Sequence, residues 1–227
     1  MSFSRVKWLG TRTPFRANQD WMSDVESGEH RTRVALRRID QGLLTGWAEL
    51  AQQYETQADS WRAWTKSQLD YALILKMALE YNGRYSRRCL EVGCGTGESI
   101  PALPEWTGEV VATDLSLGML TQVSTPDAYR GIVACDVRSL PFHDGCFDLV
   151  FGLNPIVSMR EVCRVVANGG WILLCYSFGR LTPVYVPPEE LIRQLPGSWS
   201  AIANESESGT WVSFFQDEPV GNRTTGG

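Results

Sequence analysis

The chain has 227 residues, of which 43% are hydrophobic and 21% charged, and its formal net charge is −5. That length suits one well-buried domain with a small lid and excludes two large independent ones; the composition excludes disorder throughout and a fibrous repeat. No apolar run approaches the about 18–20 residues needed to cross a bilayer, and the first residues lack the apolar core of a signal peptide, so a cytoplasmic protein with no membrane partner is expected.

Charge is unevenly spread. Residues 1–90 hold 14 Lys+Arg against 10 Asp+Glu, a balance of +4, and residues 91–227 hold 7 against 16, a balance of −9. A basic front on an acidic body hints at an anionic partner or at salt bridges between the halves. The overall acidity disfavours a nucleic-acid binder that depends on phosphate contacts. The six cysteines form no paired C-x-x-C pattern, so they are read as reduced, mostly buried thiols with no metal.

In chain order, residues 1–30 are polar, with Trp8, Phe15, Trp21 and Met22 interspersed, and read as an irregular arm. From Arg31 to Tyr54 apolar residues recur at three- and four-residue steps, as on one helix face; Gly42 and Gly46 allow two shorter helices instead. A second helical pattern covers 67–81 and stops at Asn82-Gly83. These segments, 31–85, form the expected helical lid. The core, 86–219, then alternates: strand 88–92, a helix beginning at 99–103 and cut by Pro104, strand 109–113, helix 116–123, strand 131–135, strand 147–151, helix 159–166 with Asn168-Gly169-Gly170 as its stop, and strand 171–178. Such alternation implies parallel βαβ units. A helix at 188–195 precedes strands 199–204 and 210–216, joined by a connection short enough for an antiparallel hairpin. Residues 220–227 read as a frayed tail.

The segment Leu-Glu-Val-Gly-Cys-Gly-Thr-Gly over 90–97 carries the most information. Three glycines between an apolar strand and a helix let backbone approach a ligand that a Cβ would exclude. The dinucleotide fingerprint is G-x-G-x-x-G; here the spacing is Gly93-x-Gly95-x-Gly97, with Glu91 two residues ahead. This departs from the dinucleotide pattern and resembles the first motif of class I S-adenosylmethionine-dependent methyltransferases. Downstream motifs agree: Asp114 ends the second strand in Val-Ala-Thr-Asp-Leu-Ser-Leu-Gly-Met-Leu, and Asp136 ends the third in Ala-Cys-Asp-Val-Arg-Ser-Leu-Pro-Phe. The turn from Pro141 into strand four and the helix–Gly-Gly–strand run from Arg160 also resemble the family, most nearly its small-molecule branch of ubiquinone- and menaquinone-biosynthesis type.

The resemblance implies a Rossmann-like, seven-stranded, mostly parallel α/β sheet with a C-terminal antiparallel hairpin and an N-terminal helical lid. It implies S-adenosyl-L-methionine as cofactor, bound by Glu91, Gly93, Cys94, Gly95, Gly97, Asp114, Leu115, Met119, Asp136, Val137, Asn154 and Tyr54. Asp114 would hold the ribose hydroxyls, Met119 lie against the adenine, Asp136 accept the adenine amino group, and the Val137 N–H meet a ring nitrogen. Glu91 would face the methionine ammonium, unless it pairs with Arg87 or Arg88. Tyr54 heads a stretch to Trp61 that resembles the family's lid motif. Asn154-Pro155 opens the substrate-facing loop. Asp148 reads as structural.

The expected activity is methyl transfer to an O, N or C atom of a small metabolite, mainly by proximity and orientation. No catalytic base is assigned: of the two histidines, His30 lies in the arm and His143 in a polar turn. Five of nine tryptophans precede residue 70, and such a lid suits an aromatic or apolar substrate or simply glues itself to the sheet. Arg31, Arg33, Arg37 and Arg38 either meet an anion or form a solvated face. A transfer-RNA or other RNA methyltransferase, and a methyltransferase-like protein that binds without catalysis, stay as alternatives.

Overall fold

The computed structural model describes residues 5–10, 12–13, 30–40, 42, 45–68 and 71–217. The positions of Phe15, Trp21 and Met22, of Leu43, Leu44 and Leu69, and of the tail 220–227 lie outside the described residues.

Strand β2 (Ser86–Val92) is the apolar run that leads into the glycine turn, and Cys89, Leu90 and Val92 are fully buried within it. It pairs in parallel with β3 (Thr107–Asp114) on one side and β5 (Phe147–Leu153) on the other. β4 (Gly131–Ala134) continues the parallel set beyond β3, and β6 (Val166–Tyr176) continues it beyond β5. β7 (Trp199–Ser206) and β8 (Gly209–Gln216) form the antiparallel hairpin, with β8 set against β6. Near-continuous burial along β5 and β6 is what a sheet covered on both faces requires.

The sheet has eight strands rather than seven, because Val6–Trp8 (β1) adds in parallel to the outer edge of β7. The expected irregular arm is therefore a strand at its start. Val6 is buried, and β1 is extended by the Leu9 N–H donating to the Ala203 carbonyl at 2.9 Å. A three-residue strand carries too little alternation to register as one in sequence.

Two helices lie over the C-terminal ends of the strands: α1 (Arg31–Asp40) and α2 (Thr45–Ser67). Gly42 between them has φ +78°, a left-handed break that separates the two. Gly46 serves a different need, since a Cβ there would sit 2.6 Å from the Ala35 carbonyl oxygen where α1 and α2 cross. The next helix, α3 (Leu73–Asn82), ends as expected on left-handed Gly83, whose N–H donates to the Leu79 carbonyl. It buries Ile74, Leu75, Ala78 and Leu79 with Trp171 and Leu173 of the sheet, so the cap over the strand ends consists of α1 and α2 without α3.

Three further expectations shift locally. The helix expected at 99–103 is one 3-10 turn, Ile100–Ala102, which Pro104 follows too closely to extend. Helix α4 is only Leu117–Thr121. Helix α5 (Met159–Val165) passes into β6 at Val166, so Gly169 and Gly170 lie inside that strand, within the register shift that separates the Phe147–Val166 pair from the Leu149–Trp171 pair. Helix α6 (Pro188–Arg193) packs near β7. All six cysteines are free, and no helix among the described residues is long and apolar enough to cross a membrane.

Candidate functional site

Parallel strands place their C-terminal ends on one side of the sheet, where a ligand finds free backbone N–H groups and strand-end side chains. Here the ends of β2, β3, β4 and β5 open onto one cavity of about 330 Å³, roofed by α1 and α2. Of the twelve residues singled out in sequence, eleven line it: Tyr54, Glu91, Gly93, Cys94, Gly95, Asp114, Leu115, Met119, Asp136, Val137 and Asn154. Gly97 does not.

The glycine turn explains that difference. Gly93, Gly95 and Gly97 have φ of +68°, +55° and +86°, a backbone region that other residues enter only at a cost. A Cβ on Gly95 would point toward the cavity, 3.7 Å from Trp61 Nε1 of α2. A Cβ on Gly97 would point into packing, 3.2 Å from Val123 Cγ1 and 3.6 Å from the Tyr129 hydroxyl oxygen. Gly97 therefore keeps the turn close to its neighbours rather than exposing backbone to a ligand.

Asp114 fixes this turn to the next strand. Its Oδ2 accepts the Gly95 N–H and its Oδ1 the Ser116 N–H, both at 2.9 Å. Burial raises its carboxyl above the ordinary aspartate range, against these backbone donors. Ser116 caps α4 by accepting the Met119 N–H at 3.0 Å, which seats the buried Met119 against the cavity. Leu115 lines the same wall but is partly exposed.

Glu91 is 1% exposed and accepts the Tyr129 hydroxyl at 2.8 Å. It pairs with neither Arg87 nor Arg88: the Arg88 N–H and guanidinium go to Asp148, which confirms Asp148 as structural. With no arginine to compensate, burial pushes the Glu91 carboxyl up to about 7. Asp136 differs. Both its oxygens accept from the Arg138 guanidinium, and Oδ1 also accepts the Arg138 backbone N–H at 2.8 Å. These bonds hold its carboxyl below the usual range.

At the end of β5, Asn154 adopts φ +54°, tolerable for an asparagine. Its side chain is tied to Ser177 at both ends, accepting the Ser177 N–H at 2.8 Å and donating to the Ser177 hydroxyl at 3.0 Å. The Ser177 hydroxyl in turn donates to the Tyr71 carbonyl at 2.6 Å, where an aromatic wall begins. Trp61 and Trp64 of α2 have ring centroids 5.3 Å apart, Trp64 and Tyr71 5.8 Å, and Tyr71 and Phe178 6.1 Å, and all four rings line the cavity.

Sequence reasoning missed Glu55, Glu98, Tyr71, Phe178 and Arg138. Glu55 ties the lid to the sheet by accepting the Ser116 hydroxyl at 2.7 Å and the Gly118 N–H at 2.9 Å. Its place beside Tyr54 in the lid stretch was the available signal. Glu98 lines the cavity and accepts the Thr65 hydroxyl of α2 at 2.9 Å. His30, whose Nδ1 accepts the Thr32 N–H at 3.3 Å, also lines the cavity, whereas His143 is exposed in its turn. None of Arg31, Arg33, Arg37 and Arg38 lines it; Arg38 pairs with Glu49, and Arg33 donates to the Arg180 and Thr182 carbonyls. The lining thus holds four carboxylates, Glu91, Glu98, Asp114 and Asp136, with no Lys or Arg among the described residues, which suits a cationic ligand. No group of three His, Cys, Asp or Glu that could hold a metal occurs among the described residues.

A family model described as a methyltransferase domain matches residues 90–174. A demethylmenaquinone methyltransferase of Renibacterium salmoninarum is 37% identical over 145 residues, 59% of each chain. A malonyl-[acyl-carrier protein] O-methyltransferase of Legionella pneumophila is 30% identical over 165 residues, 67% of this chain and 55% of that one. The chain thus spans 59% of the length of the demethylmenaquinone methyltransferases that it matches first. Among solved structures, a DhpI–SAH complex aligns with TM-score 0.59 at 20% identity, over 74% of this chain and 95% of that one. A putative S-adenosylmethionine-dependent methyltransferase from Methanococcus maripaludis aligns with TM-score 0.53 at 18% identity, over 73% and 95%. At these identities the two structures speak for the fold.

Proposed function

We propose, from the premise that residues 90–174 form a class I S-adenosylmethionine-dependent methyltransferase domain, that the chain transfers a methyl group to a small metabolite in a biosynthetic pathway. The observation that carries this reading is the meeting, in one carboxylate-walled cavity, of the left-handed glycine turn with Asp114, Asp136 and Asn154 from successive strand ends. When bound, S-adenosylmethionine supplies a methyl group already activated on a sulfonium. The residues present fit that molecule: Asp114 keeps lone pairs for a ribose beyond those given to Gly95 and Ser116, Glu91 lines the cavity where it would face the cofactor's ammonium, and Gly95 leaves backbone bare.

The chain's own contribution is placement. Correct orientation of two bound reactants is worth about 7–11 kcal/mol of barrier, so a site without an assigned base still has a large lever. Asn154, locked to Ser177, gives the acceptor end a rigid floor. The rings of Trp61, Trp64, Tyr71 and Phe178, with Tyr54 beside Trp61, keep water from the reacting atoms. The same rings favour a flat, largely apolar acceptor, in keeping with relatives named for demethylmenaquinone; stacking and burial there need no charged partner.

Two measurements test this. S-adenosylhomocysteine raises the thermal midpoint and NAD leaves it flat; the reverse result sinks the cofactor reading. Radiolabelled methyl from the cofactor passes to hydroxylated naphthalenes or quinols in a panel of acceptors. Transfer confined to aliphatic acyl thioesters would retain the methyltransferase and overturn the aromatic substrate.

A further inference from the structure

Arg138 stands two residues beyond Asp136, outside the lining of the cavity, and the mechanism above does not use it. Yet it makes contacts on both sides. Its Nε lies 3.0 and 2.9 Å from the two oxygens of Asp136, and its Nη2 closes the fork on Oδ2. The face of the same guanidinium lies over Trp47 of α2, with Cζ 4.1 Å from the ring centroid. Asp136 and Trp47 both line the cavity, one from the sheet and one from the lid.

A planar guanidinium can offer its edge to a carboxylate and its face to a ring at once; an ammonium cannot do both. The edge contact removes the rotational freedom of the Asp136 carboxylate; with the Arg138 backbone N–H it occupies three of the about four acceptor sites and leaves room for one further donor from the cavity that Asp136 lines. The face contact holds Trp47 over that same corner.

We propose that Arg138 is a positioning residue that latches the lid to the sheet and aims Asp136 at an N–H donor on the ligand's ring. This rests on the cofactor reading, in which that donor is the adenine amino group. Arg138 accordingly sets both how tightly the nucleoside end is held and how well an amino-bearing ring is told from one with a carbonyl in its place.

Calorimetry with S-adenosylhomocysteine and S-inosylhomocysteine on the full chain tests it. Cation–π and half-exposed ion-pair contacts of this kind are each worth enough to change affinity about two- to fivefold. R138M is expected to weaken S-adenosylhomocysteine by that factor and to narrow the ratio between the two ligands. R138K, which keeps charge without the fork, restores neither fully. W47L weakens affinity while leaving the ratio wide, and R138M/W47L is weaker than R138M by less than the W47L effect alone, because the stacking is already gone. If wild type binds S-adenosylhomocysteine, and a cooperatively melting R138M matches it within twofold in both affinity and ratio, the latch is overturned while the cofactor reading stands. If wild type shows no heat with S-adenosylhomocysteine, the cofactor reading falls and the latch with it.

Discussion

The two walls of the cavity are built differently. On the sheet side, the ligand-facing surface is largely backbone and short side chains: Gly93 to Gly95, the strand-end acids, and Asn154, each fixed by ladder register or by hydrogen bonds of 2.7–3.0 Å. On the lid side it is ring surface, Trp47, Tyr54, Trp61 and Trp64, presented by one long helix. Among the described residues the lid's ties to the rest of the chain are scattered: Arg33 to the Arg180 and Thr182 carbonyls, Glu55 to the start of α4, Asp59 to Gln122, Thr65 to Glu98, and Trp47 to Arg138. A wall set by backbone register tolerates little change, because every atom is over-determined. A wall of rings on a helix held at separate points can shift as a unit. Substitutions on the sheet side should therefore cost binding outright, and those on the lid side should change it by degrees.

The sharpest break in that comparison is Asp114→Ala. It removes the acceptor that holds the Gly95 and Ser116 N–H groups together with the proposed ribose contact. Hydrogen bonds to a charged acceptor are worth about 1.5–3 kcal/mol each, so two ribose contacts predict a loss of more than about 100-fold in affinity for S-adenosylhomocysteine. Titration calorimetry reads it, and a loss under fivefold would contradict the assignment.

Next in size is a paired substitution that divides the glycine turn. Gly97→Ala adds a Cβ at φ +86° and 3.2 Å from Val123, away from the cavity. It should lower stability by about 1–3 kcal/mol with little change in ligand affinity once the protein is folded. Gly95→Ala meets no such clash but fills space at the cavity, so affinity should drop about tenfold with a smaller fall in melting temperature. Equal ratios of the two effects in both variants would erase the distinction between a packing glycine and a binding one.

This division also marks what could be read from the sequence. The sheet side was legible because its requirements are chemical and local: glycine where φ is positive, an acid where a strand ends. That β2, β3, β4 and β5 run parallel followed from alternation alone; that β5 pairs with β2 rather than with β4 did not. Asp136 was found, but Arg138 was not, since nothing in Asp-Val-Arg reveals that a side chain will fold back on its neighbour and under Trp47. The lid was legible only as aromatic-rich. Which rings face the cavity depends on the α1–α2 crossing at Gly46, a tertiary contact. β1 stayed hidden because its pairing partner lies nearly 200 residues away.

A smaller effect concerns pH. The Glu91 carboxyl, raised by burial to about 7 from an ordinary 4.5, is protonated in much of the free protein at neutral pH. A group raised in the fold makes the free protein lose stability as pH rises from about 4.5 to about 7, and the loss levels off above that. A cationic ammonium in the cavity favours the ionised form, so S-adenosylhomocysteine should bind up to about tenfold tighter at pH 8 than at pH 6. Glu91→Gln should flatten both trends. Calorimetry across that range, in buffers of differing ionisation enthalpy, would also register the released proton; an unchanged affinity would remove Glu91 from the ammonium.

The smallest expected effect tests the lid side directly. Glu55 is drawn below the ordinary glutamate range by the Gly118 N–H, then by the Ser116 hydroxyl. A carboxyl lowered in the fold contributes stability above its unfolded value near 4.5 and loses it as pH falls through the lower folded value. Because Glu55 is exposed, the contribution to global melting should be slight and its signature local. Hydrogen-exchange protection in α2 and α4, taken relative to the intrinsic exchange rate at each pH, should fall below about pH 4.5, and Glu55→Ala should lower it at neutral pH while β2 and β3 stay protected. If the sheet strands loosened in step with α2, the two walls would form one cooperative unit, and the graded response expected of the lid would give way to all-or-none behaviour.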